Sequence, residues 1–377
     1  MKSNNELEKY LSNGIEKIVK GIFKASVTNP KSSLFMMKHM MTSKKSRDKR
    51  KKAEIRGEHI PPFLIASITN ECNLHCKGCY ARANHSCMDI CSNNLSDRLM
   101  TEKNWGDIFT QSEELGIEFI LLSGGEPFIR KDVLLQAGNH SNIIFPIFTN
   151  GTMIDESYMK LLEQKRNLIP VISIEGNKET TDKRRGEGIY EKLEEVMERL
   201  RNNGILFGAS VTVTKNNMKE VLSDEFVSNL KKAGVKGIVY VEYVPVNKET
   251  RDLAPDDETR EEMMVRLDYL RSKETDMVLV AFPGDERATN GCLAAGRGFF
   301  HINAYGDAEP CPFSPYSDTN LLKTSLREAL SSPLFCKLKE KGNLEDEHVG
   351  GCVLFEKQEH VQDILKGNTI WEQIEKF

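Results

Sequence analysis

PPFLIASITNECNLHCKGCY, residues 61–80, holds an apolar run followed at once by three cysteines. Phe63–Thr69 is rich in β-branched and aromatic residues and reads as a strand, so Cys72, Cys76 and Cys79 fall on the loop at its carboxyl end. Outward from it the pattern repeats. Strands are predicted at Phe63–Thr69, Phe119–Leu122, Ile143–Thr149, Ile169–Ile174, Phe207–Thr214 and Val239–Val244, with helical segments between them and a sixth helix near Glu258–Ser272. Strict alternation implies a parallel sheet with right-handed crossovers. Six units are too few to close an eight-fold barrel, so the expected fold is α/β, a partial, open (β/α)6 TIM-like barrel. It is flanked by an N-terminal helical and basic extension (1–60), spans 61–285, and is followed by a small piece (286–377).

The rest of the composition narrows the class. The chain has 377 residues, with 52 Lys+Arg against 56 Asp+Glu and a net charge of −4. That balance gives no basic field for indiscriminate nucleic-acid binding, and no nucleic-acid partner is expected. No apolar run is long enough to cross a bilayer and no secretory pattern follows Met1, which reads as a cytoplasmic protein. Nine cysteines, three of them within eight residues, fit thiolate ligands in a reducing compartment better than a disulfide scaffold.

In parallel α/β sheets, binding residues gather at the carboxyl ends of the strands. Four clusters lie there: Cys72–Cys79, Gly124–Pro127, Asn150–Gly151 and Ser173–Gly176. Three thiolates on a short loop can hold three corners of a cubane cluster and leave one iron open, as catalytic metal sites do. A zinc knuckle is the plainer alternative. Gly124 and Gly125 allow close backbone approach, while Glu126 offers a carboxylate to an ammonium group. Side-chain alternation puts Ser173 and Glu175 on one side of a strand end. Thr212, Thr214, Val244 and Pro245 are weaker lining candidates.

Cys72-Asn-Leu-His-Cys76-Lys-Gly-Cys79-Tyr80, followed by Ser123-Gly124-Gly125-Glu126-Pro127, resembles the radical S-adenosylmethionine superfamily over about residues 61–275. The resemblance implies a [4Fe–4S] cluster on Cys72, Cys76 and Cys79 whose open iron binds S-adenosylmethionine. One electron then cleaves the sulfonium to a 5′-deoxyadenosyl radical that takes a hydrogen atom from substrate. It also implies cofactor contacts from Tyr80, Gly124, Gly125, Glu126, Pro127 and Asn150, from Ser173 and Glu175 at the ribose, and from Arg185 at the carboxylate, with Arg184 open as the alternative. An electron donor of flavodoxin or ferredoxin type is the implied partner.

Cys292, Gly306, Cys311 and Gly351-Cys352 resemble a shortened, twitch-form version of the SPASM auxiliary-cluster domain. A second [4Fe–4S] cluster on Cys292, Cys311 and Cys352 is implied. Cys336 is either a fourth ligand or a core cysteine of an apolar helix. Cys87 and Cys91 stay unassigned, and no catalytic base stands out. The expected substrate is a peptide, a tetrapyrrole or another small molecule; a non-enzymatic iron–sulfur electron-transfer or redox-sensing protein is the alternative. Residues 4–24 carry an amphipathic pattern. Lys44–Arg56, with eight basic and two acidic residues, reads as a solvated helix face or linker, or as a peripheral contact for an anionic membrane.

Overall fold

A computed structural model describes residues 4–26, 30–90, 99–246, 248–274, 276–289, 291–340, 344 and 352–374. Cys91, Gly350 and Gly351 lie outside the described residues.

The strands in chain order are β1 (Phe63–Thr69), β2 (Glu71–Cys72), β3 (Met88–Asp89), β4 (Phe119–Gly124), β5 (Phe145–Thr149), β6 (Leu168–Ser173), β7 (Gly208–Val213), β8 (Gly237–Glu242), β9 (Val278–Phe282), β10 (His301–Ile302) and β11 (Ala308–Glu309). Nine of them form one sheet in the order β11-β10-β1-β4-β5-β6-β7-β8-β9. Neighbours from β10 to β9 are parallel, and only β11 runs antiparallel. Residues from β1 and β4 through β9 face one shared cavity, so the sheet curls as the mixed α/β, barrel-like reading expects. Glu71–Cys72 and Met88–Asp89 pair separately as a two-residue ladder beside the cysteine loop.

Six predicted strands are present, and β9 is a seventh parallel strand that the sequence reading passed over. Its five residues follow the helix Asp257–Lys273. The hairpin of β10 and β11 joins the free edge of β1, where Ile65 and Ala66 pair with His301 and Ile302. Phe299, Phe300, Leu334 and Phe335 enter the same hydrophobic core as the barrel residues. Edge pairing and shared burial give this short piece a core it is too small to build alone.

The N-terminal segment forms the helices Asn4–Ser26 and Pro30–Ile55. The second is continuous through both Leu34–Met41 and the basic run, where the sequence suggested a short helix and then a face or linker. Val19 and Met36 pack on Ile144, Ile169 and Leu206 at the amino ends of the strands, so the pair closes the lower mouth of the barrel. The basic run divides. Arg50 is 1% exposed and donates to Glu118, to the Gly116 carbonyl and to Ser12, while Lys49 donates to the Glu113 carbonyl. Lys44, Lys45, Lys51 and Lys52 remain exposed. Among the described residues, no helix is long and apolar enough to cross a membrane.

Candidate active site

A cavity of about 520 Å³ runs through the barrel. At the carboxyl ends of the strands its wall includes Cys72, Cys76, Cys79, Gly124, Arg185 and Tyr243; lower down it is lined by apolar strand residues and by Ile22.

The cysteine loop is held by its backbone. Arg82 donates to the carbonyls of Leu74 and Cys72, and Lys77 N donates to the Arg184 carbonyl at 2.8 Å. Asn150 Nδ2 reaches Asn73 Oδ1 at 2.8 Å and lies 4.0 Å from Cys72 Sγ. A hydrogen bond from the Cys87 thiol lowers the Cys72 thiol to about 6, against the effect of burial. Burial raises Cys76, opposed by the charges of Arg185 and Arg184. Arg185 Nη1 stands 4.0 Å from Cys76 Sγ.

Gly124 and Gly125 are required by space. A Cβ on Gly124, whose φ is +123°, would lie 2.2 Å from the Thr69 carbonyl oxygen, and one on Gly125 would lie 1.9 Å from that of Glu71. Gly125 N and Glu126 N donate to those same two carbonyls, which joins the end of β4 to the cysteine loop. The Glu126 carboxylate points into protein: it accepts from Phe128 N, Thr149 Oγ1 and Asn150 N at 3.1, 2.7 and 2.8 Å. Burial pushes it up to about 7 while these donors pull it down. Pro127 opens the short turn that follows and is buried.

Ser173 and Glu175 part company. Ser173 faces the cavity and bonds Ser210 at 3.0 Å. Glu175 is 1% exposed and pairs with both Arg184 and Arg185, while Thr212 N donates to its other oxygen at 3.1 Å. The two arginines hold its carboxylate below the usual range despite the desolvation that raises it. Strand alternation lapses because β6 ends at Ser173. Both arginines line the cavity, so the guanidinium choice between them stays open.

Tyr80 meets Phe313 edge to face at 4.9 Å, linking the cysteine loop to the C-terminal piece. Tyr243 escaped the sequence reading. It is 4% exposed, its hydroxyl has no hydrogen-bond partner among the described residues, and a Cβ on Gly78 would sit 2.6 Å from that oxygen. A tyrosine directly after a strand of ordinary composition carries no motif that could have flagged it.

In the C-terminal piece, Cys292 and Cys311 are buried, and the charges of Cys292, Cys311 and Cys352 act on one another. Burial raises the first two thiols well above their ordinary value. Glu286, 3% exposed, bonds Cys292 and is pushed up to about 7 by burial. Cys336 is exposed, its sulfur 3.6 Å from the Ser331 carbonyl, so it is not a core cysteine. Its helix, Pro333–Leu338, buries Leu334, Phe335 and Leu338 and turns Cys336 to the other face.

The donor set fits an iron–sulfur group. Three soft thiols line one cavity, with cations at hand for their thiolate charge and an unpartnered tyrosine hydroxyl over the same loop. Among the described residues, no three His, Cys, Asp or Glu side chains close on a single metal ion.

Residues 66–227 match the family model described as the Radical SAM superfamily. The Fe-coproporphyrin III synthase of Methanosarcina barkeri is 31% identical over 163 residues, 42% of this chain and 39% of that protein, so the match spans about two fifths of that relative. The AdoMet-dependent heme synthase of the same organism is 27% identical over 313 residues, 75% of this chain and 86% of that protein. Among solved structures, Streptococcus suis SuiB bound to its precursor peptide SuiA superposes with a TM-score of 0.61 at 17% identity, covering 78% of this chain and 70% of that one; the likeness is one of fold.

Proposed function

The chain belongs to the radical S-adenosylmethionine superfamily, and from that premise we propose that its barrel lumen is where a substrate hydrogen atom is removed. The observation that carries the reading is the convergence of Cys72, Cys76, Cys79, Gly124, Gly125 and Arg185 on one cavity. Cys72, Cys76 and Cys79 would hold a [4Fe–4S] cluster, whose chemistry when bound would be one-electron reduction of S-adenosylmethionine to the carbon radical that takes the hydrogen atom.

The remaining work falls to the chain's own groups. The backbone of Gly124–Glu126, with Pro127 fixing the turn, receives the cofactor's amino group, while the Glu126 side chain ties the ends of β4 and β5 together. Arg185, with Arg184 beside it, attracts the carboxylate of the cofactor; Glu175 orients both guanidinium groups rather than meeting ribose. Ser173 and Asn150 offer hydroxyl and amide contacts, and Tyr80 packs the loop against the C-terminal piece. The apolar lower lumen excludes water, which protects a carbon radical from side reactions.

Cys292, Cys311 and Cys352 would hold an auxiliary cluster of the twitch type within the piece 286–377, with Cys336 off to one side. A flavodoxin- or ferredoxin-type protein would supply the electron. The substrate is assigned to the tetrapyrrole class ahead of peptides, because the heme synthase relative matches over most of both chains and the lumen wall is apolar. Iron coproporphyrin III is the probe: a shifted absorbance band on titration supports that class, and an unchanged spectrum removes it. The function itself is tested by anaerobic reconstitution, dithionite reduction and measurement of 5′-deoxyadenosine. Wild type should form it and Cys76→Ala should not; no product with any reductant rejects the reading.

A further inference from the structure

Ser67, His301 and Glu309 form a hydrogen-bonded line at the seam where the C-terminal hairpin joins the barrel. Ser67 Oγ lies 2.7 Å from His301 Nε2, and His301 Nδ1 lies 2.7 Å from Glu309 Oε2. Asn303 Nδ2 donates to the other carboxylate oxygen at 2.7 Å. An ionised Glu309 can only accept, which assigns the ring proton to Nδ1, leaves the Nε2 lone pair free, and makes Ser67 the donor to it.

The line ends one side chain behind the cavity wall. Ser67 lies on the same side of β1 as Phe63 and Ile65, both in the cavity wall, and its hydroxyl is 3.5 Å from that of Ser123, which also lines the cavity. Ser67 keeps partial exposure, while His301 and Glu309 are 4% and 6% exposed. Burying an imidazole and a carboxylate in a two-strand hairpin costs desolvation that apolar residues would avoid, and none of the cofactor contacts proposed above uses them. The groups meeting this set are Ser67 and Ser123 from the barrel and Asn303 and Glu309 from the hairpin.

We propose that His301 is the proton acceptor of the lumen, reached through Ser67 Oγ and positioned by Glu309. A ligand X–H passes its proton to Ser123 Oγ as the Ser123 proton moves to Ser67 Oγ and the Ser67 proton moves to His301 Nε2. The electron pair of the X–H bond stays on the ligand, and the imidazolium is balanced by Glu309. Reversal delivers a proton, and neither direction needs an oxidant or reductant. The inference deepens the proposed function and rests on its assignment of the lumen to substrate.

The test is long-range ¹H–¹⁵N NMR of the reconstituted protein with ¹⁵N-histidine, with His301→Gln giving the assignment. The expected ring is protonated at Nδ1 and accepts at Nε2. Ser67→Ala should remove the Nε2 hydrogen-bond shift and leave the ring proton on Nδ1. Glu309→Ala should let the ring proton exchange between the two nitrogens, because the acceptor that fixes it is lost. A wild-type ring protonated at Nε2, or one whose Nε2 shift is the same in Ser67→Ala, overturns the proposal. These spectra need neither S-adenosylmethionine nor substrate, so they fail separately from the 5′-deoxyadenosine assay.

Discussion

Gly125 lies so close to Glu71 that a single added carbon would fall 1.9 Å from the Glu71 carbonyl oxygen, and the next amide, Glu126 N, donates to that same oxygen at 2.7 Å. The glycine pair is thus the joint between the second barrel strand and the cysteine loop.

Gly125→Ala should therefore part the two segments. The backbone on both sides is fixed, so relief means moving the loop, at a cost of roughly 3 kcal/mol. Thermal unfolding should show the loss, and reconstituted protein should carry less iron on the first loop. Normal stability and iron content would mean that the joint can yield.

Tyr243→Phe separates a packing role from a binding one. Removing a buried hydroxyl with no partner should stabilise the cofactor-free protein by about 1 kcal/mol. If that hydroxyl meets the cofactor or its cluster, affinity for S-adenosylmethionine should fall by about tenfold, measured by calorimetry on reconstituted protein. A gain in stability with unchanged affinity would remove Tyr243 from the cofactor pocket.

Iron counting tests the C-terminal thiols. Two cubanes correspond to about eight iron atoms per chain and one to about four. Cys311→Ala should take the count from about eight to about four, whereas Cys336→Ser should leave it unchanged, since Cys336 is exposed. Equal losses in both variants would bring Cys336 into the ligand set.

His39 makes the lower plug sensitive to acid. It is 2% exposed between Phe35 and Phe119, both ring nitrogens lack partners among the described residues, and burial pushes it down to about 4. From about pH 6.5 down to about 4 the unfolded chain binds a proton that the folded chain refuses, so stability falls across that window as pH falls. His39→Met should remove up to about 3 kcal/mol of that dependence. Melting curves at pH 7 and pH 5 check it: the difference between variant and wild type should widen at pH 5.

The barrel was legible from residues 61–80 outward because strand and helix periods are local, and the cysteine spacing was legible because one loop holds all three thiols. Backbone demands were readable too: two adjacent glycines after a strand mark a close approach, and the space around Gly124 and Gly125 bears this out. Less accessible was where charged side chains would go. Glu175 turns behind the wall to serve two arginines, and Arg50, one of eight basic residues in its run, is buried against Glu118.

The sequence by itself determined the alternating α/β architecture and the residue types that can hold a cluster, since both follow from neighbours within a few positions. Tertiary packing alone placed the N-terminal helices across the lower mouth, added β10 to the edge of β1, brought Tyr243 into the cavity wall and joined Ser67, His301 and Glu309. Those pairings join residues up to 236 positions apart. They form because the open edge of β1 must satisfy its backbone groups and the short C-terminal piece must bury its aromatic residues, two demands that no local stretch of sequence can meet or announce.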